Sequence, residues 1–124
     1  MNALLLVAHG SRRAQSNDEV TALAKKLSGR CSETYEIVHS AFLELADPLI
    51  PEGIRKCVED GAGTVVVLPY FLNSGRHVTE DIPNIVNRTR NSYPGVEIRI
   101  ASHLGASELM TDLLITTAND AINT

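Results

Sequence analysis

The sequence has no tryptophan, and only three tyrosines and two phenylalanines among its 124 residues. So few rings leave no aromatic platform on which nucleic-acid bases could stack. Cations are not in excess either. The formal net charge is −4, which argues against a general nucleic-acid footprint, although a local basic cluster could still serve an acidic small molecule. Cysteine is scarce. Cys31 and Cys57 form no CxxC and no zinc-type spacing, and they read as reduced thiols of a cytoplasmic protein. No apolar stretch approaches the length that crosses a bilayer. The amino-terminal apolar run is too short for a secretory segment and lacks a cationic flank. The expected setting is the cytoplasm, with no membrane and no nucleic acid as partner.

What is present describes an ordinary soluble domain. Apolar residues make up 44% and charged residues 21%, enough to bury a core in one domain spanning residues 1–124. Two hydrophobic periods alternate along it. Ala3–Ala8, Tyr35–His39, Thr64–Leu68 and Val96–Ile100 are short apolar runs that read as strands, the first and third buried on both faces.

Between and after them, apolar residues recur at helical spacing. The first helix carries Val20, Leu23, Ala24 and Leu27, with Ser16 and Glu19 as a capping box and Gly29 as a stop. Asp47-Pro48 starts the second, which buries Ile50, Ile54, Cys57 and Val58 and ends at Gly61. The third carries Ile82, Ile85, Val86 and Thr89, with Pro83 in or near its first turn. Ser107 caps the fourth, with Leu109, Leu113, Leu114, Thr117 and Ala121 directed inward. The order βαβαβαβα predicts an α/β fold: a four-stranded parallel sheet flanked by helices on both faces.

In such a sheet, ligands bind at the carboxyl ends of the strands. The first strand runs into His9-Gly10-Ser11-Arg12-Arg13. The second leads to Glu44 and Asp47, the third to Arg76, His77, Glu80 and Asp81, and the fourth to His103. The loop opening at Pro69 is long for a domain of this size, and long loops tend to be functional. Imidazole and carboxylate together suit first-row transition metals, so His9, Glu44 and His77 form a candidate site. His39 and His103 read as structural or supporting residues. Asp47 reads as a cap, and Glu80 and Asp81 as carboxylates favoured at a helix N-terminus. Arg12, Arg13 and Arg76 suit either solvated surface or the binding of an anion.

Three segments also carry a resemblance. VAHGSR, FLELADP and LPYFLNSGRHVTEDIP are similar, in order and spacing, to the short CbiX/SirB class of tetrapyrrole chelatases, over nearly the whole chain. GRHVTEDIP is the most specific of the motifs. The resemblance implies insertion of a divalent metal ion into sirohydrochlorin, on a route to cobalamin or sirohaem. His9 and His77 would bind the metal and act in catalysis, with Glu44 as a further metal or proton-handling residue. It also implies a homodimer with no permanently bound cofactor. The metal is itself a substrate: Co2+ by likeness to short cobaltochelatases, with Fe2+ and Ni2+ as alternatives. Some relatives carry histidine-rich tracts, and this chain has none.

The chemistry fits these groups. Insertion requires loss of two pyrrole protons and desolvation of the metal. An unperturbed imidazole, with a pKa of about 6.5, can ligate or accept a proton near neutrality. Two histidines and one carboxylate leave coordination positions open, so the ion can depart. Gly10 would admit the substrate closely. Ser11, Arg12, Arg13 and Arg76 would hold the carboxylates of sirohydrochlorin. Two other classes compete. One is a phosphohydrolase with His9 as nucleophile, disfavoured because Ala8 stands where such enzymes carry arginine. The other is a carrier that holds metal or tetrapyrrole without turnover.

Overall fold

A computed structural model describes residues 1–124. Its centre is β1 (Asn2–Ala8), whose apolar run leaves Ala3 to Ala8 all buried. Such a strand needs partners on both edges and cover on both faces. It pairs in parallel with β2 (Ile37–Phe42) on one side and β3 (Thr64–Pro69) on the other, and β4 (Glu97–Ile100) extends the sheet beyond β3. The order is therefore β2-β1-β3-β4, all parallel.

Alternation along β1 divides the core. Ala3, Leu5 and Val7 face α2 (Ile50–Glu59) and α3 (Ile82–Arg90), packing with Ile50, Ile54, Cys57, Ile82 and Val86. Leu6 and Ala8 face α1 (Ala14–Arg30) and meet Val20 and Ala24. The expected α/β sheet with helices on both faces is thus observed, with one helix on one face and two on the other.

Several local expectations differ. α1 begins at Ala14, so Ser16 lies inside it and caps nothing. Ser11 and Asn17 close the preceding loop instead. Asn17 accepts the Ser11 N–H at 2.9 Å and donates to the Ser11 carbonyl at 2.7 Å, while Ser11 Oγ accepts the Arg13 N–H at 3.0 Å. Gly29 falls within the last turn of α1, not beyond it.

β2 runs on to Phe42, which places His39 inside the strand. Asp47 does not cap α2. The Asp47-Pro48 peptide is cis, Leu49 occupies the N-cap position, and Pro51 takes the first turn. The chain between Phe42 and Pro48 is a closed excursion, pinned at its neck by the Phe42 N–H donating to the Pro48 carbonyl at 2.8 Å.

α3 is preceded by a π-helical turn, His77–Asp81, in which Ile82 N–H donates to the His77 carbonyl. Pro83 has no N–H to offer the Thr79 carbonyl, so the widened turn costs no lost α-helical bond there.

The largest departure is α4 (Leu109–Ile122). None of its residues is buried, and Leu109, Leu113, Leu114, Ile115 and Ile122 are all exposed, Leu109 at 75%. The inward face expected for Leu109, Leu113, Leu114, Thr117 and Ala121 is not covered by this chain. The cause lies in the loop before the helix. Leu104 N–H donates to the Phe71 carbonyl at 2.8 Å, and Gly105 lies so close to the Leu72 carbonyl that a Cβ would stand 1.8 Å from its oxygen. That clamp leads the chain off the sheet. On the face that α1 only partly covers, Val66 and Leu68 of β3 remain half-buried. Ser107 does serve as expected: its Oγ accepts the Leu109 N–H at 3.2 Å.

Candidate functional site

The strands deliver their carboxyl ends to one rim, and backbone hydrogen bonds continue past the sheet to hold the loops there. Leu43 N–H donates to the Ala8 carbonyl at 2.9 Å, Glu44 N–H to the His9 carbonyl at 3.0 Å, and Tyr70 N–H to the Val7 carbonyl at 2.7 Å. Gly10 makes the first of these loops possible. Its φ is +95°, and a Cβ there would lie 1.7 Å from the Glu44 carbonyl oxygen. Its lack of a side chain therefore serves contact between two loops of the rim. Leu45, in the neighbouring loop, holds φ at +67°, a conformation that costs a non-glycine residue about 1–2 kcal/mol.

His9 and His77 come together across this rim. Their ring centroids are 4.7 Å apart, with the planes inclined by 60°. Phe71 flanks His77 at 6.4 Å between centroids. Each ring is oriented through Nδ1. That of His9 lies 2.9 Å from the Gly10 carbonyl oxygen, and that of His77 lies 2.8 Å from Oδ2 of Asp81. A carbonyl and a carboxylate only accept, so each Nδ1 carries hydrogen and donates. In the neutral rings, Nε2 then holds a lone pair, and nothing in the chain occupies it. Two imidazoles with free Nε2 atoms can bind a metal ion or accept a proton.

Glu44 reaches the same rim but not the same point. Its exposed side chain lines a cleft of about 320 Å3 with Asp81, Asn84 and Arg88. No three His, Cys, Asp or Glu side chains lie close enough together to hold a metal ion. The expected grouping of His9, His77 and Glu44 as three ligands is thus not assembled within the single chain. The excursion from Leu43 to Pro48 sets Glu44 beside Asp81, Asn84 and Arg88.

The cations are displayed rather than buried. Arg12 is exposed and forms no ion pair; Arg13 gives one N–H to Gln15. Arg76 is engaged through Nε with Glu80 at 2.9 Å and is 81% exposed. His39 is not part of this constellation: its Nε2 meets Oδ2 of Asp60, beyond the end of α2, at 2.6 Å. His103 precedes a short 3-10 turn, Leu104–Ala106, and also stands outside the pair.

Two contributors escaped the sequence reading. Asn17 closes the Ser11 loop, and nothing in its local pattern announces that. Asp81 orients His77, and the i,i+4 spacing of the two could have revealed it.

A family model confirms the lineage of these motifs, for the CbiX model matches residues 3–121. The chain belongs to the CbiX family. Among its relatives, the sirohydrochlorin ferrochelatase of Priestia megaterium is 33% identical over 122 residues, covering 97% of this chain and 44% of that protein. The sirohydrochlorin cobaltochelatase of Sulfolobus acidocaldarius is 34% identical over 123 residues, covering 99% of this chain and 94% of that one. Among solved structures, the sirohydrochlorin chelatase SirB from Bacillus subtilis subspecies spizizenii, in complex with cobalt, superposes with a TM-score of 0.85 at 28% identity, over 96% of this chain and 50% of that one. The chain spans about half the length, or slightly less, of several of the curated relatives it matches.

Proposed function

We propose that this CbiX-family chain is a sirohydrochlorin chelatase that inserts a divalent metal ion, Co2+ before Fe2+ or Ni2+. The observation that carries the reading is the His9–His77 pair, with both Nε2 atoms free at the carboxyl rim of the sheet. Cobalt is put first on the relatives named cobaltochelatases and on the similar SirB structure in complex with cobalt, and iron is kept as the alternative by the relatives named ferrochelatases.

In the reaction the tetrapyrrole loses two N–H protons and gains one M2+. The free Nε2 of each histidine ligates the incoming ion or accepts a pyrrole proton. Glu44, on the adjoining loop, supplies a solvent-facing carboxylate that takes a proton onward. Fewer than four protein ligands leave the ion exchangeable, so release to the macrocycle is favoured over retention. Arg12, Arg13 and Arg76, with the Ser11 hydroxyl, face solvent near the same rim and suit the carboxylates of sirohydrochlorin.

The exposed apolar residues of α4 support a homodimer in which a second copy covers them. No helix is long and apolar enough to cross a membrane. Two free thiols agree with a reducing cytoplasm.

The test is the absorption change of sirohydrochlorin with Co2+, Fe2+ or Ni2+, with and without protein, substrate being in excess. Acceleration over the spontaneous reaction through many turnovers is expected, with loss in both His9→Ala and His77→Ala. Stoichiometric binding without turnover would assign a carrier instead.

A further inference from the structure

The two imidazoles of the rim are oriented by unlike acceptors. His9 leans on a neutral carbonyl, that of Gly10, whereas His77 leans on the carboxylate of Asp81. We propose that Asp81 is a positioning residue for His77, holding the ring as the Nδ1–H tautomer so that Nε2 is the atom offered to metal or proton. What that Nε2 does rests on the chelatase reading; the tautomer does not.

Three observations carry the proposal. First, Asp81 is not spent on the helix that follows it. Its backbone is helical and runs without a break from the π-helical turn into α3, and its carboxylate bonds no backbone N–H there. Its one side-chain partner in the chain is His77 Nδ1, at 2.8 Å.

Second, the adjacent carboxylate is kept away. Glu80 is paired with Arg76 at 2.9 Å, also four residues apart, so the two neighbouring acids are sorted onto two neighbouring bases. Asp81 alone is left to receive Nδ1–H.

Third, the backbone there departs from an α-helix. His77 and Asp81 are the first and last residues of the π-helical turn, closed by Ile82 N–H on the His77 carbonyl. Turns of this kind are rare and often mark functional sites. Here the turn spans the His77–Asp81 pair and little else.

A carboxylate that accepts Nδ1–H fixes both the ring's rotation and its tautomer, and strengthens Nε2 as a ligand. Both groups are partly open to solvent, at 43% and 39% exposure. Water would therefore satisfy Nδ1 without Asp81, but it would fix neither rotation nor tautomer.

The experiment uses the full chain without metal, labelled with 15N at histidine, at about pH 8, where imidazole is mainly neutral. Two-bond proton–nitrogen spectra report the tautomer, and calorimetry with CoCl2 reports affinity. Wild type should show His77 as Nδ1–H. Asp81→Ala should move it toward Nε2–H or a mixture, and weaken Co2+ binding about 10–100-fold. Asp81→Glu should restore much of both, which a loss of folding would not allow. An unmoved tautomer, or unchanged cobalt affinity, in Asp81→Ala would overturn the proposal. If wild type shows the Nδ1–H tautomer and binds Co2+ but turns over no sirohydrochlorin, the chelatase reading fails while the role of Asp81 is still decided.

Discussion

Replacing Gly10 with alanine tests whether loop-to-loop contact builds the rim. The new Cβ would lie 1.7 Å from the Glu44 carbonyl oxygen and 2.9 Å from its carbon. Ordinary contact requires the loops to part by roughly 2 Å. That movement breaks the hydrogen bond from Glu44 N–H to the His9 carbonyl and strains the one from Leu43 to Ala8. Each is worth about 1 kcal/mol net. A side chain at φ +95° adds about 1–2 kcal/mol of backbone strain.

The expected destabilisation is therefore about 3–4 kcal/mol. For a chain of this size it lowers Tm by roughly 10–15 °C. Because His9 is carried on the displaced segment, insertion should slow by about 100-fold even well below Tm. Thermal unfolding followed by circular dichroism gives the first quantity, and the sirohydrochlorin absorption assay gives the second. Gly29→Ala is the control: it lies in the last turn of α1 with nothing within 4 Å, and should raise stability by about 0.5–1 kcal/mol. A Gly10→Ala protein that melts within about 2 °C of wild type and keeps its insertion rate would refute the reasoning.

Three other outcomes are expected. If a second copy covers α4 as proposed, the double variant Leu113→Lys and Leu114→Lys should be monomeric by sedimentation and the parent dimeric, and the variant should retain its secondary structure, because neither side chain is buried in the single chain. Burial, aided by the nearby Asp60 charge, pushes the Cys57 thiol up to about 12. A disulfide reagent near pH 8 should therefore modify Cys31 quickly and Cys57 only on unfolding. The same shift has a sign for stability: above the ordinary thiol value the unfolded chain releases a proton that the folded chain keeps, so the contribution of Cys57 is full below that value and is lost as pH rises toward about 12. Finally, His39→Ala should leave metal insertion within about twofold of wild type, since His39 is held by Asp60 away from the paired rings. A tenfold fall would mean that the strand transmits its state to the rim.

Much of the fold was legible because burial on two faces leaves a plain mark. Leu4 to Ala8 and Val65 to Leu68 can be little else than inner strands of a parallel sheet, and the first gives way at once to polar residues where the strand leaves the core. His9 was legible for the same reason, as an imidazole just past β1, and His77 because it closes the long loop that follows β3. The failures share a different cause. Ser16, Asp47 and Gly29 all have the right chemistry for the caps assigned to them, but a tertiary contact placed the helix end elsewhere. Asn17 stapled the first loop, and the excursion pinned between Phe42 and Pro48 moved the start of α2 to Leu49. Sharing one rim does not by itself bring Glu44 to His9 and His77 as a third ligand; the path of that excursion sets it beside Asp81 and Arg88.

α4 shows the boundary most plainly. Its periodicity established that one face is apolar, since side chains repeat by position along a helix whatever surrounds it. Which surface covers that face depends on the direction in which the chain leaves β4, and the contact of Gly105 with Leu72 sets that direction. The sequence by itself determined the order of elements, the inner strands and the two histidines, because these follow from local pattern and from the chirality of parallel crossovers. Only the tertiary structure decided that the two rings stand 4.7 Å apart, that Asn17 closes the Ser11 loop and that Glu44 lies beside Asp81 and Arg88. Distances and hydrogen-bond partners between separate loops depend on how the whole sheet aligns them, and no local run of residues encodes that.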